Sequence, residues 1–168
     1  GGDYQDAAQL LRAADLAMYR AKTEGRGRFL VFEDEFDRQV KERRELEIAL
    51  RAAVEQDQLE IHYQPQVNLQ TGRITGFEAL SRWRDPQRGY VPPNIFIALA
   101  EEVGLISTIG ARILKRACAE ATNWPPDTTV AVNLSAAQFQ GGDLVAVVKD
   151  ALDASGLAPH RLEVEITE

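Results

Sequence analysis

The chain has 168 residues, 45% hydrophobic and 27% charged, which is the balance of a globular protein and not of a disordered one. Its 19 basic and 26 acidic residues give a net charge of -7, which argues against broad electrostatic binding to nucleic acid or an anionic membrane but leaves room for a small anion bound through a divalent cation. A single cysteine, Cys118, excludes an internal disulfide and fits a reducing, cytoplasmic setting; no apolar run reaches 18 residues, and no signal-peptide pattern opens the chain.

The chain falls into three zones. Residues 4–32 contain AAQLLRAADLAMYRAK, with Leu10, Ala14, Ala17, Met18 and Ala21 at helical spacing. Gly25 and Gly27 end that helix, and Phe29 to Phe32 read as a short strand. So short a zone buries too little surface to stand alone, so it reads as the tail of a larger domain. The missing initiator methionine and the abrupt end at Glu168 fit a segment of a longer protein. Residues 33–58 lack Pro and Gly and carry an apolar stripe through Leu46, Leu50, Ala53 and Val54, which predicts one connector helix. Its cluster Lys41, Arg43 and Arg44 reads as a solvated face.

Residues 59–168 alternate strands and helices. LEIHYQPQV and RITGFEALSRW predict an antiparallel hairpin around NLQTG, with turn chemistry from Asn68 and Gly72. IALAEEVGLI and TIGARILKRACAEATNW predict helices, the second stopped by Pro125 and Pro126. TTVAVNLS predicts a strand, DLVAVVKDALDASG a helix closed by Gly156, and HRLEVEITE a last strand. Strands joined by helical crossovers predict parallel pairing in an α/β sheet. A closed eight-stranded barrel of this kind needs about 250 residues, so the sheet is expected to be incomplete.

Three predicted strands finish with an oxygen donor: Glu78, Asn133 and Glu165. Functional sites collect at the carboxyl ends of strands in parallel α/β folds. Oxygen donors there suit a hard cation, Mg²⁺ or Mn²⁺ more than zinc. On spacing alone a second reading stands beside this one, in which each is a separate polar residue facing water. His62, His160, Trp83 and Trp124 read as structural or surface residues, and Cys118 as a small buried hydrophobe. Glu163, two residues before Glu165, shares its strand face.

The ordered stretches YQPQVNLQTGRITGFEALSRW, VNLSAAQF and LEVEITE resemble the successive motifs of the EAL domain family, metal-dependent cyclic di-GMP phosphodiesterases built on a (β/α)₈ barrel of the TIM type. The resemblance covers residues 59–168. LLRAADLAMYRAKTEGRGR resembles the closing helix and turn of a GGDEF diguanylate cyclase domain, which implies a tandem GGDEF–EAL bacterial signalling protein. Residues 1–32 would then be the remnant of the cyclase domain, 33–58 the connector and 59–168 the first part of the EAL barrel. The opening Gly-Gly-Asp is not the cyclase signature, which lies upstream in that family, and Lys22 resembles its phosphate-contacting lysine.

The resemblance implies roles residue by residue. Glu78, Asn133 and Glu165 correspond to ligands of a catalytic Mg²⁺ or Mn²⁺, with Glu78 the catalytic carboxylate. Arg82 corresponds to the residue gripping a substrate phosphate, a task suited to a forked guanidinium. Gln64 and the Leu80 backbone correspond to positions touching the dinucleotide. The implied reaction is hydrolysis of cyclic di-GMP to linear pGpG. Further acidic residues and a lysine of the family come from strands beyond Glu168, so the segment alone is expected to be inactive. Asp85 stands where the family often has His, and Ala98 where it often has Pro. The alternative function is a cyclic di-GMP receptor without catalysis. A homodimer through the connector helix or the EAL domain is a further expectation, with Leu46 and Leu50 as the helix seam.

Overall fold

The computed structural model describes residues 34–140 and 143–167, together with residues 11, 14, 15, 18 and 19. The predicted strand Phe29 to Phe32 and Lys22 lie outside the described residues. The chain forms two compact units, residues 1–48 and 49–168. In the first, Leu11, Met18 and Tyr19 are exposed. Helix α1 (Asp34–Glu55) begins in this unit and ends in the second, continuous because its sequence holds neither Pro nor Gly. Arg38 and Glu42 pair one turn apart at 3.7 Å on its surface. Among the described residues, no helix is long and apolar enough to cross a membrane.

In the second unit α1 buries Leu50, Ala53 and Val54 and stops in a tight reversal. Asp57 turns left-handed at φ 53°, and Gln58 N–H donates to the Ala53 carbonyl at 2.9 Å. Two arginines of a later helix finish this end: Arg112 donates to the Val54 carbonyl, and Arg116 donates to the Leu59 carbonyl at 2.8 Å.

The chain then builds a mixed sheet. β1 (Glu60–Val67) and β2 (Ile74–Asp85) pair antiparallel, as predicted. Asn68 Oδ1 closes the connecting turn by accepting from the N–H groups of Gln70 and Thr71, both at 3.0 Å. A short β3 (Gly89–Val91), not anticipated from the sequence, folds back onto the end of β2. The buried carboxylate of Asp85 makes that hairpin, accepting from Gln87 N–H at 2.9 Å and Arg88 N–H at 2.7 Å. Helices α2 (Pro93–Glu102) and α3 (Ile106–Ala121) return the chain to β4 (Thr129–Ser135), parallel to β2. A short α4 (Ala136–Gln140), helix α5 (Leu144–Ser155) and a 3₁₀ turn (Pro159–Arg161) lead to β5 (Leu162–Thr167), parallel to β4. The sheet order is β1-β2-β4-β5, with β3 beside β2.

Helix α3 ends at Ala121, short of the Pro125 stop expected from the sequence. Thr122 Oγ1 donates to the Ala119 carbonyl at 2.7 Å, and Arg161 Nη2 donates to the Ala121 carbonyl at 2.8 Å. These bonds satisfy the helix end before the prolines are reached. The expected closure of α5 holds: Gly156 is left-handed at φ 73° and donates to the Leu152 carbonyl.

Strand alternation sorts the sheet into two faces. Ala79, Val130 and Val132 point to the helices and pack with Leu114, Ala117, Cys118, Ala121 and Ala151 in one buried cluster. Trp83, on the same side of β2, is fully buried with its ring edge-on to Phe96 at 6.0 Å. Burying this face fixes the register, and so fixes which side chains stand on the other.

Candidate functional site

The face away from the helices carries the polar residues. In register, Gln64 stands opposite Glu78, Glu78 opposite Ala131, and Ala131 opposite Glu163. One step along, His62 stands opposite Leu80 and Asn133 opposite Glu165. Glu60 stands opposite Arg82 in the next row. All the site residues expected from the sequence therefore share one sheet face.

Glu78 and Asn133 are joined directly. Asn133 Nδ2 donates to Glu78 Oε1 at 2.6 Å, and both side chains are half-buried. Ala131, between Glu78 and Glu163 in the register, is too small to screen them and is fully buried itself. Glu165 lies beside Asn133 on β5 and is exposed. Arg82 is half-buried, and its Nη1 donates to the Ser81 carbonyl at 2.9 Å, so its guanidinium is not tied to Glu78. Gln64 is exposed. A cavity of about 260 Å³ joins Leu80, Arg82 and Asn133 to Ile97, Ile109 and Gln138 of the packed helices.

The donor chemistry fits a hard cation. Glu78, Asn133 and Glu165 offer oxygens only, and a half-turn of the Asn133 amide exchanges Nδ2 for Oδ1 in the same place. Among the described residues, no group of three His, Cys, Asp or Glu side chains converges. The only cysteine is remote in chemistry as well as position: Cys118 is buried in the helix-side core, where burial pushes its thiol up to about 11. Tyr63 also faces the helices, edge-on to Trp124 at 5.1 Å. Burial and then the charge of Glu120 raise its hydroxyl above the ordinary value, so it stays protonated at neutral pH. His62 is exposed and pairs with Glu60 at 3.1 Å on the surface.

Sequence reasoning missed Ser135, Gln138 and Gly110, and it read Glu101 as able to touch ligand but more simply solvated. Ser135 Oγ donates to Glu101 Oε1 at 2.5 Å, and Ser135 N–H donates to the buried Gln138 Oε1 at 2.9 Å. A glycine inside a predicted helix was the available signal.

Residues 47–168 match the EAL domain family. The chain is 47% identical over 164 residues to the uncharacterized protein y4lL of Sinorhizobium fredii, covering 98% of this chain and 20% of y4lL. It is 42% identical over 171 residues to MucR of Pseudomonas aeruginosa, a bifunctional diguanylate cyclase/cyclic di-GMP phosphodiesterase, covering 99% of this chain and 25% of MucR. It is 39% identical over 166 residues to the cyclic di-GMP phosphodiesterase PdeR of Escherichia coli, covering 97% and 25%. The chain thus spans about a fifth to a quarter of the length of these relatives. The structure of the PaMucR phosphodiesterase in complex with c-di-GMP superposes with a TM-score of 0.69 at 43% identity, covering 74% of this chain and 52% of that one. With its family match spanning most of its length and its strands ending in one oxygen-bearing face, this chain belongs to the EAL domain family.

Proposed function

We propose that the protein containing this chain is a metal-dependent phosphodiesterase that hydrolyses cyclic di-GMP to the linear dinucleotide. The observation that carries this reading is the Glu78–Asn133 hydrogen bond on a strand-end face that also presents Glu165 in register. Glu78, Asn133 and Glu165 hold Mg²⁺ or Mn²⁺ through their side-chain oxygens. When bound, the cation supplies a water of lowered pKa and offsets charge on the phosphoryl oxygens. Arg82 grips a non-bridging phosphate oxygen, for which its guanidinium is available once it leaves the Ser81 carbonyl. Gln64 and the Leu80 backbone orient the dinucleotide along the same face. The cavity behind Leu80 and Arg82 gives part of the ligand a place out of water, where fixed dipoles act more strongly.

The sheet is the first part of a (β/α)₈ barrel, and residues 1–32 are the tail of a GGDEF domain joined by the 33–58 connector. The match to MucR, which runs through nearly the whole of this chain, supports that tandem arrangement. The connector also mediates homodimerisation, but not through Leu50, which is fully buried within the single chain. Val40 and Ile48, 38% and 58% exposed, supply the apolar contacts instead.

The test is product analysis. The full-length protein with Mn²⁺ is expected to convert cyclic di-GMP to the linear dinucleotide, and the Glu78→Gln protein to lose more than about 100-fold in rate, since even outer-shell changes cost 10–100-fold. Saturable binding of cyclic di-GMP without any product would show a receptor instead.

A further inference from the structure

A buried polar clasp holds the chain where β4 ends, along the wall of the cavity beside Leu80 and Arg82. Ser135 lies two residues past Asn133 on the same strand face. Its N–H donates to Gln138 Oε1 at 2.9 Å, and its hydroxyl donates to Glu101 Oε1 at 2.5 Å while accepting from Ala137 N–H at 3.1 Å. Ser135 and Gln138 are only 8% and 6% exposed. The clasp therefore ties the end of β4 to α2 through Glu101.

Gln138 has a shaped seat on α3. A Cβ at Gly110 would stand 2.2 Å from Gln138 Nε2 and 2.8 Å from its Cδ. Any side chain at position 110 would have to displace the amide. Glycine inside a helix is otherwise unfavourable, so the close approach of Gln138 gives a physical reason for it here. With the amide displaced, a buried N–H on Ser135 would lose its acceptor, which is costly enough to shift the strand end.

We infer that Gln138, seated against Gly110, is a positioning residue that aims the Asn133 amide at the cation site through Ser135. It rests on the reading of Glu78, Asn133 and Glu165 as that site. Gln138 acts on the geometry of β4 and not on the phosphate. Removing it weakens cation binding even when no substrate is present.

The experiment titrates Mn²⁺ into the full-length protein without nucleotide, counting free ion by its paramagnetic resonance signal. It compares the wild type with Gly110→Ala, Gln138→Ala and the double variant, each first shown to melt cooperatively. Each single variant is expected to weaken Mn²⁺ affinity by about tenfold, the scale of outer-shell effects. The double variant is expected to be no weaker than Gln138→Ala, because no amide remains for the new methyl group to strike. Unchanged affinity in the single variants, or fully additive losses in the double, overturns the inference. Should Gly110→Ala fail to fold, Gln138→Ala and Gln138→Met decide it, and wild-type affinity in both overturns it. A wild type that binds no Mn²⁺ overturns the site reading itself, an outcome separate from variants that bind as well as the wild type.

Discussion

Glu78 stands between two residues that face the other way, Phe77 and Ala79, and Ala79 is nearly fully buried. Alternation alone explains how a carboxylate survives in so apolar a stretch, because its face of the sheet carries the polar residues. The sequence thus showed that Glu78 could face away from the core, but not that it would meet Asn133, which is 55 positions away. That meeting depends on the parallel register of β2 with β4, which no local pattern encodes. Cys118 was more legible, since a cysteine inside a predicted helix with no histidine near it in sequence already read as a small buried hydrophobe, and it lies in the helix-side core. Its thiol, raised from 9.0 to about 11 by burial, should resist alkylation at neutral pH in the folded protein and react freely in denaturant. The raised value has a consequence for stability as well: the folded state holds its proton more tightly than the unfolded one. This contribution is fully present below pH 9 and is lost as pH rises towards about 11. Denaturant titrations should show that decline in the wild type and a smaller one in Cys118→Ala. Equal declines would contradict the assignment.

Elements with strong periodicity or distinct caps were readable, and elements made by a single side chain were not. Helix α5 begins at Asp143, whose carboxylate accepts from Ala146 N–H at 3.1 Å, and ends at the left-handed Gly156. Both signals are local, though the sequence reading named only the Gly156 closure. Asp143→Ala should lower stability by about 1 kcal/mol, measured by urea unfolding, with Asn at the same position recovering most of it. Strand β3 escaped notice because it is short and depends on the Asp85 turn, whose two backbone bonds are invisible to periodicity. The early end of α3 escaped for a related reason: Arg161 donates to its terminal carbonyl, that of Ala121, from 40 residues downstream. Helix α4 is five residues long and follows directly from the strand, with Ser135 and Gln138 fixing its first turn.

For the whole molecule, the helix-covered face fixes the sheet, and the sheet fixes the site. The apolar cluster behind β2 and β4 determines their register, and that register puts Glu78, Asn133 and Glu165 on one surface. The motif order in the sequence pointed to the family, while the Gln138 seat on Gly110 became visible only once α3 and α4 were packed. Association through α1 should respond to Val40→Lys and Ile48→Lys in sedimentation of the full-length protein, with a shift towards monomer. Association unchanged by the pair would exclude this helix as the contact. The central claim is that three side chains act as one cation site, and the most direct measurement is the Mn²⁺ dependence of cyclic di-GMP hydrolysis by the full-length protein. Glu78→Gln, Asn133→Ala and Glu165→Gln are each predicted to raise the half-saturating Mn²⁺ concentration by at least about tenfold. Wild-type Mn²⁺ dependence in any one of the three would contradict it.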